Sequence, residues 1–429
     1  MTKLNLSAIA MMVFWLATPS TVWAVDASRM FQTGMYLQHT MGDLDAALES
    51  YRGVLLANPK PELEERALLR LGECLEWAGR SGDIIEVVAK LDKAAPTQAD
   101  RLGPVRYFPV GLDLIMQMDV RRLHASRLMD LLGAEMDIEA EQMEQLVAAL
   151  GIDPRKDLHR LSLGLELGPN EQFPLRRFVV HVEGNLSKLV DVVNILKVAK
   201  LAGQTQAKKS KPAEAGSAAG DLERLDVRRT TVAGRSVQVV DLPVAEAPGG
   251  KLTLSVVRID DNNMLLGMGG AVEDTLRARA GRSIGLRADE ALKRMIDRLP
   301  AGRDMWLLAS PRRLLDRLAK LDADFHVPLT LPVLTGMLFC ARFADDLELM
   351  AATWAEDKES AQEVTDLARG GLALLRLVAL AEDEMPAEAK KIVREIDVVT
   401  EGQEIRLQTR LPWSLLESAS SPDSQDPHP

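Results

Sequence analysis

Only a few stretches of this sequence group residue types that could do chemistry, and the neighbours of each dictate whether that chemistry is available. Gly281-Arg282-Ser283-Ile284-Gly285 has the G-x-S-x-G spacing, which presents a serine nucleophile when a sharp strand-to-helix turn lifts its hydroxyl towards a histidine and an oxyanion hole. Here Ala271 to Ala280 has helical periodicity and another helix follows Gly285, so Ser283 is expected to be a structural residue between helices. Of the histidines, only His326 and His428 lie beyond it. Gly267-Met268-Gly269-Gly270 falls between a predicted strand, Met264 to Leu266, and that first helix, where backbone amides can cradle a phosphate. A dinucleotide fingerprint would place glycine at Val272, and a P-loop needs Gly-Lys followed by Ser or Thr. A turn with positive φ accounts for these glycines without a ligand.

Metal ligands are equally sparse. Asp322, Asp324 and His326 alternate, and His181 and Glu183 share one face of a predicted strand, but neither set has the spacing of a metal centre. No catalytic residue, metal site or cofactor is assigned. Asp260-Asp261-Asn262-Asn263 reads as a hairpin turn, because Asx side chains bond their own backbone. Arg121-Arg122 and Arg312-Arg313, each early in a helix, read as solvated faces, with carboxylate binding between modules as the alternative.

The frame that would position any such residue starts after an export signal. Lys3, the apolar stretch Leu4 to Ala17, Pro19 and Val22-Trp23-Ala24 read as a signal peptide over residues 1–24, so the protein is expected to be periplasmic or secreted. No cysteine follows to take a lipid anchor, and no later stretch reaches the roughly 18 apolar residues of a transmembrane helix. Val327 to Ala341, broken by Pro328 and Pro332, reads instead as a buried strand. A net charge of −11 opposes phosphate and argues against a nucleic-acid partner. Cys74 and Cys340 are expected as two buried free thiols, although an oxidising compartment permits a disulfide.

Two helical units come first, over residues 25–100. In the text from Phe31 to Pro59, Gly42 marks a tight turn, Ala47, Tyr51 and Val54 share a helical face, and proline ends the unit. From Leu68 the plan repeats, with Leu71-Gly72, a turn at Gly79, Val88 and Leu91, and Pro96 as the stop. This region resembles the tetratricopeptide repeat family, whose unit is about 34 residues of helix, turn, helix. Gln38 and Met35 stand where that family prefers Tyr and a small residue, and Ile84 replaces its small Ala. Since about three repeats close a core, the two are expected to dock on the domain C-terminal to them. The resemblance implies a concave surface lined by the first helix of each unit. There Arg29, Gln32, Tyr36 and His39, then Arg66, Glu73, Glu76 and Trp77, recur at helical spacing as candidate partner-binding residues, beside Leu69.

Beyond residue 100 the apolar period shortens. His159 to Leu165, Phe178 to Val182, Ser236 to Val240, Leu252 to Ile259 and Ile405 to Leu407 read as strands, with hairpin turns at Ala233-Gly234 and 260–263. Helices are expected over Arg121 to Leu132, Ile138 to Leu150, Leu186 to Leu201, Ala271 to Ala280, Ala288 to Leu299, Arg312 to Lys320 and Ser360 to Ala381. The order of motifs repeats: Val120-Arg121-Arg122-Leu123 is echoed by Pro311-Arg312-Arg313-Leu314, and later segments recur in the same order. The reading is α+β, a duplicated module over 101–299 and 300–417 on a mixed or antiparallel sheet, with disordered segments at 202–220 and 418–429. Its general look, including Gly151-Ile152-Asp153-Pro154 before a strand, is similar to uncharacterised exported bacterial proteins, which implies a fold and no activity. Leu372 to Leu380 forms an amphipathic helix interrupted by Arg376, read as cover for the sheet, with a membrane or partner contact as the alternative.

The functional reading is an exported non-enzymatic scaffold whose repeats bind another envelope or secreted protein. The alternatives are an envelope hydrolase using Ser283, or a small-ligand carrier using the α+β body.

Overall fold

The computed structural model describes residues 19–94, 102–129, 147, 151–168, 175–189, 227–243, 251–300, 302–311, 334–381 and 387–420. They form two units, one joining the residues up to Val110 with Asp274–Glu290, the other Gly111–Glu273 with the residues from Ala291 onward.

In the helical unit, α1 (Pro19–Tyr36), a π-helical turn (Leu37–Met41), α2 (Leu44–Leu56), α3 (Pro61–Trp77) and α4 (Ser81–Ala94) succeed one another, each packed on the next. Their ends obey local chemistry. Gly42 takes φ 68 and closes the first segment, and the Asp43 carboxylate accepts the Ala46 N–H at 3.1 Å to start α2. Pro61 opens α3, where it gives up no helical hydrogen bond, and Gly79 ends that hairpin turn at φ 68. The core joins Tyr51 and Val54 of α2, Leu68, Leu71 and Cys74 of α3, and Ile84 and Leu91 of α4 to Ile284, from far along the chain. Gly72 makes the space, since a Cβ there would lie 2.3 Å from Ile284 Cδ1. The boundary read near residue 100 therefore moves. Residues 102–110 and 274–290 belong with the helices, because two hairpins leave apolar surface that a further element must cover.

In the other unit, twelve strands form one sheet among the described residues: β1 (Leu114–Asp119), β2 (Leu158–Leu167), β3 (Leu175–Gly184), β4 (Val227–Val232), β5 (Arg235–Pro243), β6 (Lys251–Arg258), β7 (Asn263–Met268), β8 (Met305–Ala309), β9 (Leu334–Phe343), β10 (Leu347–Ala355), β11 (Asp397–Glu401) and β12 (Glu404–Leu411). The order is β11-β12-β10-β9-β8-β1-β2-β3-β7-β6-β5-β4, antiparallel at every pairing. Opposed residues in such a ladder share a face. Leu265, His181, Ser162, Gln117, Trp306 and Cys340 thus form one row, and Leu266, Val180, Leu163, Met116, Leu307 and Phe339 form a row on the other face.

At the middle of this sheet two strands carry matching contacts. β1 pairs with β8 so that Leu114 faces Ala309 and Met118 faces Met305. Just before β1, the buried Asp113 carboxylate accepts the N–H of Leu167, the last residue of β2, at 2.7 Å. Just before β8, buried Asp304 accepts the N–H of Phe343, the last residue of β9, also at 2.7 Å. Backbone bonds from Asp119 to Asp304 and from Ser310 to Asp113 close the two ends of the pair.

Short helices and one long helix alternate with the strands along the chain: α5 (Val120–His124), α6 (Pro154–Asp157), α7 (Ala271–Arg279), whose residues from Asp274 belong to the helical unit, α8 (Glu290–Asp297), α9 (Lys358–Ala381), α10 (Ala387–Glu395) and α11 (Trp413–Ser420). The helix expected over 121–132 is interrupted after His124, where Ser126 Oγ donates to the Leu123 carbonyl, and helix resumes at residues 127–129. The strand expected over Val327 to Ala341 begins at Leu334, after its prolines. Residues 418–420, read as tail, continue α11, which is anchored by buried Trp413 donating its Nε1–H to the Ala344 carbonyl at 3.0 Å. Residues 1–18, 202–220, 312–333 and 421–429, and most of the helices expected over 138–150 and 186–201, lie outside the described residues.

Candidate functional site

α1 and α3 enclose a groove of about 390 Å³, lined by Ser28, Phe31, Gln32 and Met35 from the first helix and Leu63 and Arg66 from the second. The spacing of three and four residues puts each set on one helical face. Phe31 forms the floor, and the Arg66 guanidinium carbon lies 4.8 Å above its ring centroid, a cation–π contact that leaves a positive charge at the rim. Below, Phe31 meets Tyr51 with ring centroids 5.7 Å apart.

That packing depends on a register the sequence disguised. The small residue expected at position 35 is supplied by Gly34, where a Cβ would lie 2.7 Å from Tyr51 Cε1. A π turn carries one residue more than an α turn, so Leu37–Met41 moves the preceding residues by one position relative to Gly42. The Tyr51 hydroxyl then donates to Gln38 Oε1 at 2.8 Å, and Gln38 Nε2 donates to Glu73 at 3.2 Å. Arg70 also donates to Glu73, at 2.7 Å, completing a polar chain inside the helical unit.

The candidate partner-binding residues separate accordingly. Arg29, Gln32, Tyr36, His39 and Trp77 are exposed, and His39 meets the Trp77 ring edge-on at 6.0 Å. Tyr36 and Trp77 are 55% and 59% exposed, unusual for aromatics with no structural need of water. Arg66 is exposed as well, with its guanidinium over the Phe31 ring. Leu69 and Glu73 are buried, and Glu73 holds Gln38 and Arg70. Glu76 accepts the Ser283 hydroxyl and the Ile284 N–H, and burial raises its carboxyl above the usual carboxylate range. Sequence reasoning assigned Phe31 and Met35 to packing and missed Ser28 and Leu63. The available signal was that Leu63 and Arg66 share a face of α3.

The other candidates have structural explanations. Ser283 sits in a connection between α7 and a 3₁₀ turn at Gly285–Ala288, where its Oγ accepts the Gly285 N–H at 3.2 Å and its hydroxyl bonds Glu76. Gly285, at φ 63, could not carry a Cβ, which would stand 2.8 Å from the Arg106 carbonyl oxygen. In the turn before α7, a Cβ on Gly267 would lie 2.4 Å from the Phe178 carbonyl oxygen, and one on Gly269 2.7 Å from that of Arg176. These glycines permit close backbone approach. His181 is buried in its sheet row and Glu183 pairs with Arg160 at 3.1 Å. No cluster of three metal-ligating side chains occurs among the described residues, and Asp322, Asp324 and His326 lie outside them. Arg122 approaches Asp304 of the second half at 3.6 Å, while Arg121 is exposed and Arg312 and Arg313 lie outside the described residues. Cys74 and Cys340 are buried free thiols, each pushed up to about 12 by desolvation.

No family model and no curated protein matches this chain. Among solved structures, two crystal forms of TP0453 are similar to it at 8% sequence identity, with TM-scores of 0.34 and 0.32; the alignments cover 74% of this chain and 96% and 97% of those chains. No helix among the described residues is long and apolar enough to cross a membrane.

Proposed function

We propose that this chain is an exported, non-enzymatic scaffold that holds another envelope or secreted protein through N-terminal repeats of tetratricopeptide type. The observation that carries the reading is the α1–α3 groove, with an apolar floor of Phe31, Met35 and Leu63 and a rim that includes Gln32 and Arg66. Tyr36 and Trp77 stand exposed on the same two helices. Aromatic residues and arginine dominate binding hot spots, the aromatics because they bury much area for little lost side-chain freedom and arginine because it offers several donors and a stacking plane. Export rests on Lys3, the apolar stretch after it and Val22-Trp23-Ala24. Against a hydrolase stands Ser283, whose hydroxyl is engaged by Glu76 inside a helical connection.

Affinity capture from the native envelope tests the proposal, using the full chain, Tyr36→Ala/Trp77→Ala and Met35→Glu, with folding checked by circular dichroism. Recovery of the specific partner is expected to fall about tenfold or more with either variant. Equal recovery by all three proteins would remove the groove from consideration.

A further inference from the structure

Helix α9 buries a narrow line, Ala361, Thr365, Leu372 and Ala379, and leaves the rest of its C-terminal half in solvent. Leu367, Leu374, Leu375, Leu377, Val378 and Leu380 are between 45% and 66% exposed. From Gly370 to Ala381 the one charged side chain is Arg376, half-buried, with its guanidinium donating to the carbonyls of Val393, Arg394 and Ile396. The exposed surface of these turns therefore carries no charge. Leu367, Leu374, Leu377 and Val378 share one face of the helix, while Leu375 and Leu380 point to its two flanks.

Gly370 and Gly371 lie in the same half of the helix. A Cβ on either would meet nothing within 4 Å, so packing inside the monomer does not require them. Glycine in mid-helix is costly relative to alanine, and its usual compensation is close approach by another element.

We propose that this face of α9 is the contact through which two copies of the chain associate, with their helices antiparallel about a two-fold axis at Leu374. In that arrangement Gly371 and Gly370 of one copy lie opposite Leu377 and Val378 of the other, and Leu367 lies opposite Ala381. On either side of the Leu374 pair at the axis, large side chains meet small ones, and each copy presents the same patch to the other. Four large side chains per copy bury less than the roughly 1,200 Å² of a specific, stable interface, which places the contact among weak, reversible associations. A lipid surface fits less well. The remaining charged residues of α9, Lys358, Glu359, Glu363, Asp366 and Arg369, are more acidic than basic, whereas interfacial helices carry a Lys/Arg-rich polar face.

Analytical ultracentrifugation of the full chain is expected to show a reversible dimer in the micromolar range. Leu374→Glu should weaken it on the order of a hundredfold or more, because each mutation acts in both copies. Gly371→Leu should do the same while circular dichroism stays unchanged, since the monomer has space there. Leu374→Cys should form an intermolecular disulfide across the axis, as the native thiols are buried. The proposal is overturned by a wild-type chain that stays monomeric, by a dimer indifferent to both Leu374→Glu and Gly371→Leu, or by a monomer that instead floats with phosphatidylethanolamine–phosphatidylglycerol vesicles.

Discussion

In the half of the sheet that begins at β1, strands β7 and β6 separate β3 from the β5–β4 hairpin, whereas in the half that begins at β8, β10 pairs directly with β12. Both halves keep the same central device, a buried aspartate ahead of the first strand that holds the backbone at the end of the second. The contrast shows which part of a duplicated fold is free to change. The paired central strands fix register for everything outside them, so their contacts persist, while a hairpin can enter between outer strands because each antiparallel pairing needs only its neighbour. The strands inserted in the first half also lead into α7 and 274–290, the segment that supplies Ile284 to the helical unit. What distinguishes the halves is thus also what completes another part of the molecule.

The most damaging way to break this comparison is to empty the place that the insertion fills. Ile284→Ala removes a fully buried side chain over Gly72, and is expected to destabilise the helical unit by about 3 kcal/mol. Hydrogen exchange should report lost protection in α2 to α4, with β8 to β12 unaffected; unchanged protection in the helices would mean that 274–290 is only an accessory.

A smaller effect tests whether the halves are equivalent. Asp113→Ala and Asp304→Ala each leave a part-buried strand-end N–H without its acceptor, and each should cost about 1–2 kcal/mol in urea denaturation. Closely similar losses support one inherited device, and a loss confined to Asp113 would make the resemblance at Asp304 superficial.

The smallest expected effect sharpens the role of the inserted segment through pH. Burial is the largest influence on Glu76 and raises its carboxyl above the usual 4.5, only partly offset by the bonds from Ser283 and Ile284. A carboxyl raised on folding favours the folded state while it is protonated, so that contribution is present below pH 4.5 and is lost as pH rises through the folded value. Glu76→Gln stays neutral. Relative to wild type, it should gain stability as pH rises above the ordinary carboxylate value, measured by thermal unfolding at each pH; a difference independent of pH would overturn the raised carboxyl.

Much of the fold could be read from residues whose effect is local. Alternating apolar strands, the Gly234 and 260–263 turns, Gly42 and Gly79 after helices, and the helical context of Ser283 all express preferences set within a few residues. The site was partly readable for the same reason, since helical spacing alone puts Tyr36 and Trp77 on candidate faces. It also misled. Glu73 has the spacing of a surface residue but lies buried between Gln38 and Arg70, because a polar chain from Tyr51 needs an acceptor at that point.

The sequence by itself determined that helices come first and strands dominate the body, and that neither G-x-S-x-G nor the glycine turn has the setting its chemistry needs. Tertiary structure alone decided that β1 and β8 meet at the centre of the sheet, that β6 and β7 enter only one half, and that Ile284 packs over Gly72. The physical reason is range. Backbone preference and periodicity act between residues a few positions apart, whereas strand order and the filling of a core depend on which distant surfaces exclude water together.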